Sequence, residues 1–549
     1  MSQGLEALDK RFLFHPSSNL DQVRDSDPLI WTRGEGIYVY DQHGKQYLEG
    51  MAGLWCTALG YGEKELAKAA AEQMEKFCYG PLFAARANEP SIKLAAKLSE
   101  WVPIEGARFL FHPSSNLDQV RDGDPLIWTR GEGIYVYDQH GRRYLEGMAG
   151  LWCTALGYGE KELAKAAAEQ MEKFCYGPLF AARANEPSIR LAAKLSEWVP
   201  IEGARFLFGC SGSDANDTQI KLARYYFNAI GKPEKKKIIS RKSGYHGTTL
   251  ATAGLTGLPP FHAHFDVPGP DIVHLTEPHH YRQAHEGESE EDFATRLANE
   301  LEQVIAREGA DTIAAFIAEP LMGAGGLILP PETYFDKIQP ILCEHGILFI
   351  DDEVVTAFGR TGNPFGCQTY GIQPATMTMA KALSSAYQPI SAVAIPPFMY
   401  EAIEQASIGV GMFAHGLTYS GHPVAAAVAL RTLELYEERG IMEHAAKMGE
   451  ILQSKLSGLS DHPLIGNYRG IGLIAGLELV KDTATKTRFE PSDKIAFKAT
   501  AACLEEGLVV RALPGDTLAI CPPLIIDEAG IDELVNKLAK GLDRTLDAL

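Results

Sequence analysis

From Arg205 onward the chain alternates short apolar runs with longer amphipathic stretches. RFLF at Arg205, KKIIS from Lys236 to Ser240, TIAAFIAEP from Thr312 to Pro320 and ILFIDD from Ile347 to Asp352 are centred on apolar residues without strict alternation. That pattern marks strands buried on both faces of a parallel sheet. Between the first two, TQIKLARYYFNAIG has the spacing of an amphipathic helix and ends at Gly231, a residue suited to a helix C-terminus. Strands alternating with helices predict an α/β sheet whose carboxyl edge binds ligands. Successive strand ends then deliver Tyr245, Glu319, Asp352 and, after the apolar stretch Ile372 to Met379, Lys381.

Asp351 and Asp352 end one of these buried strands, where an unpaired carboxylate is costly, so at least one should meet a cation or reach solvent. Lys381 follows 29 residues after Asp352, in a turn of small residues. Taken singly, these are a strand-end cap and a solvated loop lysine. Taken together, with Tyr245 and Glu319 converging on them, they suit pyridoxal phosphate chemistry: the lysine forms a Schiff base and the acid keeps the pyridine nitrogen protonated. The turn GCSGSDAND opens a helix and presents Gly212 and Ser213 to an anion at the positive helix end. His246 sits beside Tyr245 in SGYHGTT, and the loop FAHGLTYSGHP offers Thr418 as a further phosphate ligand.

Ahead of this region the chain repeats itself. Residues 11–107 recur as 108–204, identical at 93 of 97 positions. Solenoid repeats diverge and have periods of about 20–50 residues, so one near-perfect copy reads as a recent tandem duplication, an engineered insertion or an artefact of sequence assembly. The second copy runs directly into Arg205 and is expected to take the native place, leaving residues 1–107 surplus: peripheral, disordered, or swapped onto a neighbouring subunit. Each copy carries a hairpin pattern around DQHG, a glycine-punctuated loop (Trp152 in the second copy), a helix from Lys161 to Phe174, and Tyr176 on a Gly-Pro turn. The remaining divisions are a segment 108–175, a large domain 176–440 and a smaller α+β domain 441–549, in which Arg511 is expected on an exposed turn. A planar guanidinium there suits a substrate carboxylate.

Composition narrows the partners. A net charge of −20 over 549 residues disfavours nucleic acid or an anionic membrane. Nine scattered cysteines without metal-ligand spacing read as free thiols of a reducing compartment, and no metal is expected. No leader pattern or membrane-length apolar run occurs, which predicts a cytoplasmic protein.

The motifs HPSSNL, AGLWC, SGSDAND, GYHG, AEPLMGAGG, DDEVVTAFGRTG, MAKALSS, HGLTYSGHP, YRGIG and ICPPL together resemble class III, fold type I, pyridoxal-phosphate aminotransferases of the ω-amino acid/amine:pyruvate type. The resemblance spans the whole chain once one copy is set aside. It implies a mostly parallel seven-stranded sheet flanked by helices, with a smaller α+β domain. It implies Lys381 as the Schiff-base lysine and acid/base, Asp352 on the pyridine nitrogen, Val354 and Tyr245 on the two ring faces, and Gly212 and Ser213 on the phosphate. Thr418 would serve the phosphate of a neighbouring subunit in a homodimer. Glu319 would lie beside the cofactor's phenolic oxygen, and Trp152, Tyr176 and Arg511 would line the substrate pockets. The chain departs from the family at Asp214, where glutamate is usual, and at Ala382 and Ala386, where glycines are usual. The expected activity is ping-pong amino transfer from an ω-amino acid or primary amine to pyruvate or a similar keto acid. The competing readings are a decarboxylase or aminomutase on the same scaffold, or a silent scaffold protein.

Overall fold

The structure, a computed structural model, describes residues 4–83, 86–104, 110, 112–113 and 125–549. The junction at 107/108 therefore lies outside the described residues. The two copies build the same elements: β1 (Leu29–Glu35), β2 (Tyr38–Asp41), β3 (Gln46–Leu48) and β4 (Arg86–Asn88) in the first, β5 (Leu126–Glu132), β6 (Tyr135–Asp138), β7 (Arg143–Glu146) and β8 (Arg183–Asn185) in the second. An aspartate heads each DQHG turn. Asp138 accepts the N–H groups of His140 at 2.8 Å and Arg142 at 2.9 Å, and Asp41 does the same for His43 and Lys45, which fixes the turn.

The copies are not independent units. β4 pairs in parallel with β5, and β8 with β1, so each hairpin is extended by a strand of the other copy. The N-terminal arm of the first copy also packs on the catalytic region. Leu13 is bridged to Phe206, and Phe14 lies between Tyr400 and Phe413, with ring centroids 5.0 and 4.9 Å away. A buried Asp9–His15 pair at 2.9 Å braces the arm. The first copy is thus woven into this chain rather than left peripheral, because its strand and its arm both find partners there.

β9 (Arg205–Gly209), β10 (Lys237–Arg241), β11 (Ile272–Leu275), β12 (Ile313–Ala318), β13 (Leu348–Asp352), β14 (Thr376–Met379) and β15 (Ser391–Ile395) form one seven-stranded sheet. Its order is β11-β10-β12-β13-β14-β15-β9. The first five strands run parallel, and β15 is antiparallel to both of its neighbours. All six residues of β12 are buried, as the unbroken apolar run requires when helices cover both faces. β10, β12, β13 and β14 are consecutive in the sheet, so their carboxyl ends bring Tyr245, Glu319, Asp352 and Lys381 to one edge.

β16 (Ile465–Ile471), β17 (Ile474–Leu479), β19 (Arg511–Leu513) and β20 (Thr517–Ile520) form a separate antiparallel sheet in the order β16-β17-β20-β19. Between them, β18 (Leu508–Val509) pairs with β7 and ties the second copy to this portion. Arg511 is not on an exposed turn: it opens β19, and its pairing with Ala519 turns it inward.

Candidate active site

A cavity of about 280 Å³ opens at the carboxyl edge of the large sheet, lined by Gly212, Ser213, Asn216, Tyr245, His246, Glu319, Asp352, Val354 and Lys381 among others. Each reaches it for a local reason. Ser211 caps the helix Gly212–Ala229 by accepting the N–H of Asp214 at 3.2 Å. That leaves the first-turn N–H groups of Gly212 and Ser213 without partners inside their helix. The shorter Asp214 still ties the helix start down, accepting from the Cys210 N–H at 3.0 Å, the Ser211 hydroxyl at 3.0 Å and the Ser391 hydroxyl at 3.1 Å.

Asp352 is buried and fully engaged. Its Oδ2 accepts from Asn216 Nδ2 at 2.7 Å and faces His246 Nδ1 at 2.8 Å, while Oδ1 accepts the Val354 N–H at 3.2 Å. Its neighbour Asp351 points to the opposite face of β13, as strand alternation requires. It has no hydrogen-bond partner, and burial beside Glu353 pushes its carboxyl well up. Of the two carboxylates, Asp352 meets a cation-capable group, while burial beside Glu353 favours the protonated form of Asp351. Glu319 accepts the backbone N–H groups of Tyr245 at 3.0 Å and Gly323 at 2.8 Å, and burial raises its pKa.

Lys381 follows β14 with a left-handed φ of 45°, and Ser385 and Ala386 follow at 49° and 63°. Burial is the main influence on its amine and lowers its pKa, against the pull of Asp352, Cys153 and Glu319. Its Nζ lies 5.6 Å from the centre of the Trp152 ring, and Arg511 lies 5.2 Å from the same ring. Trp152 is therefore a neighbour of both the amine and the guanidinium. Burial lowers the pKa of Arg511, with Arg86 of the first copy the next influence. Among the described residues no carboxylate is within ion-pair distance of Arg511.

The left-handed loop makes the glycine replacements testable. Ala386 sits where a side chain is strained, whereas Ala382 does not. Ala386→Gly is expected to raise stability by about 0.5–1 kcal/mol, and Ala382→Gly to lower it by a similar amount. Denaturant midpoints would show opposite shifts; equal signs would refute this account of the loop.

Four expected residues do not line the Lys381 cavity: Trp152 and Arg511 stand beside Lys381 but outside the lining, and two others lie elsewhere. The Tyr176 hydroxyl donates to the Thr418 carbonyl at 2.7 Å, in a second cavity of about 620 Å³ shared with Cys56–Gly60 of the first copy, Tyr419 and His422. Neither Tyr176 nor Thr418 lines the Lys381 cavity. Its wall is instead Tyr79, the first-copy counterpart of Tyr176. Sequence reasoning also passed over Asn216, although its place one helical turn beyond Gly212 was a usable signal.

These residues fit pyridoxal phosphate. The free N–H groups of Gly212 and Ser213 match a phosphate. Asp352 keeps acceptor capacity beyond its three neighbours for a pyridinium. Val354 and Tyr245 supply flat walls, and Lys381 supplies an amine whose burial favours the neutral nucleophile. Known proteins agree. The chain is 47% identical over 428 residues to gamma-aminobutyrate transaminase 1, mitochondrial, of Oryza sativa subsp. indica, covering 78% of this chain and 83% of that protein. It is 43% identical over 445 residues to the diaminobutyrate--2-oxoglutarate transaminase of Halomonas elongata, covering 80% of this chain and 95% of that protein. A structure of the omega transaminase from Pseudomonas jessenii in complex with PMP superposes with a TM-score of 0.79 at 49% identity, covering 80% of this chain and 97% of that one. The aminotransferase class-III family model matches residues 21–115 and 119–542, and this chain belongs to that family.

Proposed function

We propose that this pyridoxal-phosphate aminotransferase takes the amino group of an ω-amino acid or primary amine and passes it to pyruvate or a similar keto acid. The observation carrying the reading is the half-buried Arg511, which has no carboxylate partner among the described residues and stands against the same Trp152 ring as Lys381. A guanidinium without an internal counter-ion is placed to bind the carboxylate of an ω-amino acid or of the acceptor. Relatives named for gamma-aminobutyrate and diaminobutyrate support this donor class.

When bound, pyridoxal phosphate supplies an aldehyde that condenses with amines and a ring that accepts an electron pair. The chain's own residues do the rest. Lys381 Nζ, whose burial favours the neutral amine, would take the proton from the donor carbon and deliver it to the cofactor carbon that carried the aldehyde. Asp352, fixed by Asn216 and His246, would hold a proton at the ring nitrogen. Tyr245 and Val354 would wall the ring, Gly212 and Ser213 would bind the phosphate, and Glu319 anchors the turns carrying Tyr245 and Gly323. Trp152 keeps water from Lys381.

We also read the enzyme as a cytoplasmic homodimer. All nine cysteines are free, which suits a reducing compartment. Thr418 lies outside its own chain's cofactor cavity, which suits service to a partner. Among the described residues no helix is long and apolar enough to cross a membrane.

The test is spectral. The yellow band of the holoenzyme should bleach on adding γ-aminobutyrate or an arylalkylamine without acceptor and return on adding pyruvate; a band that no amine bleaches would reject the reading. Arg511→Ala should raise KM for carboxylate-bearing substrates about 10–100-fold and spare amines without a carboxylate.

A further inference from the structure

The two copies are related by a pseudo-two-fold exchange. β1 pairs with β8 through Leu29–Arg183, Ile30–Ala184 and Trp31–Asn185. β4 pairs with β5 through Arg86–Leu126, Ala87–Ile127 and Asn88–Trp128, the same register with the copies interchanged. Tyr61 stacks on Phe174 and Phe77 on Tyr158, both at 5.5 Å and nearly parallel. Tyr79 fills the space above Gly150, and Tyr176 the space above Gly53, so closely that an added Cβ would lie 2.6 and 2.5 Å from the ring. Self-complementary contacts of this kind belong to an isologous interface between identical surfaces, yet here both surfaces sit in one chain.

The two halves end differently. Against the catalytic region, Leu145, Trp152, Leu163 and Leu191 of the second copy are buried, whereas their counterparts Leu48, Trp55, Leu66 and Leu94 are 56–78% exposed. Accordingly Tyr79 lines the cavity that holds Lys381, and Tyr176 lines one that lacks it.

We propose that the first copy completes this chain's own active site, standing in for the same segment of a second chain, and that Tyr79 sets the size of amine donor the pocket accepts. The proposal rests on the Lys381 cavity being the active site. Tyr79 stands over the Gly150 loop beside Cys153 and Arg511, so its ring bounds the Lys381 cavity on that side and limits the room left there for a donor's substituent. Covalent linkage favours exchange within the chain. A tethered segment has an effective concentration on the order of millimolar, far above that of a second chain in a dilute enzyme assay.

The experiment uses the full-length holoenzyme carrying Tyr79→Ala, Tyr79→Phe or Tyr176→Ala. The readouts are kcat and KM for γ-aminobutyrate and for a bulky arylalkylamine, each with pyruvate. Tyr79→Ala should move the bulky-to-small ratio of kcat/KM about 10-fold or more, the range a changed apolar wall commands. Tyr79→Phe should keep the parent ratio, and Tyr176→Ala should move it less than about 2-fold on the same scale. A ratio moved by Tyr176→Ala and not by Tyr79→Ala would overturn the proposal, since the exchange would then run between chains. A ratio moved by neither would overturn it as well. Loss of the yellow band's response to amines in the parent enzyme would instead indict the active-site reading beneath it.

Discussion

Asp352→Asn is expected to slow turnover on the order of 10²–10³-fold while the protein still folds. The substitution keeps the shape and removes the charge that would stabilise a protonated ring nitrogen. It also disturbs a matched set of donors. Oδ2 serves Asn216 and His246 and Oδ1 serves the Val354 N–H. An asparagine oriented to keep the first two contacts turns its NH₂ toward the Val354 N–H, donor against donor, at a cost of about 1–3 kcal/mol. A modest fall in the denaturant midpoint should therefore accompany the large fall in single-turnover rate. Asp351→Asn is the control. Asp351 is next in sequence but faces away from the cavity, partnerless and with its carboxyl pushed up, so an uncharged side chain already approximates its working state. If the two variants lost activity equally, the assignment of the cofactor acid to Asp352 would be wrong.

That contrast shows how far sequence patterning reaches. The run ILFIDD announces a buried strand and two carboxylates at its end, and strand alternation sends them to opposite faces. Which of the two meets the cavity depends on what packs against each face. His246 comes from the loop after β10 and Asn216 from the helix Gly212–Ala229, 106 and 136 residues away in sequence. The gathering of the site was legible for the same reason: four apolar runs deliver four polar ends, and parallel β10, β12, β13 and β14 bring them to one edge. Arg511 was misplaced because a strand of three residues has too few positions to show a period. Arg511 is half-buried and stands against the Trp152 ring, in a strand that follows β18, which pairs with β7.

The duplication was visible as a repeat, but its consequence was not. Two identical segments carry identical patterns, so nothing in either copy says which one faces the catalytic region. The answer lies in pairing across copies. β4 and β8 are three residues long and gain their hydrogen bonds only by joining a hairpin. The exchanged register places Tyr79 rather than Tyr176 at the cavity. A sequence reading that assigns the whole native role to one copy cannot anticipate an active site drawn from both.

Lys381→Ala is expected to lower turnover by at least the 10²–10⁴-fold that a positioned general acid–base contributes, because among the described residues no other lysine lines the cavity. The acid/base role has a sharper signature in the pH dependence. The base must be neutral. Burial, the largest influence, lowers the pKa of Lys381, whereas Asp352, Cys153 and Glu319 raise it and Arg511 lowers it further. The single-turnover rate should thus rise with pH through a midpoint below the ordinary lysine value, since a depressed pKa leaves the amine neutral at lower pH. Removing a group that pulls the pKa up must move that midpoint down, and removing one that pushes it down must move it up. Asp352→Asn is expected to shift the midpoint to lower pH and Arg511→Ala to higher pH, each measured in what activity remains. Shifts of the opposite sign would mean that the titrating base is not Lys381, however inactive Lys381→Ala proved to be.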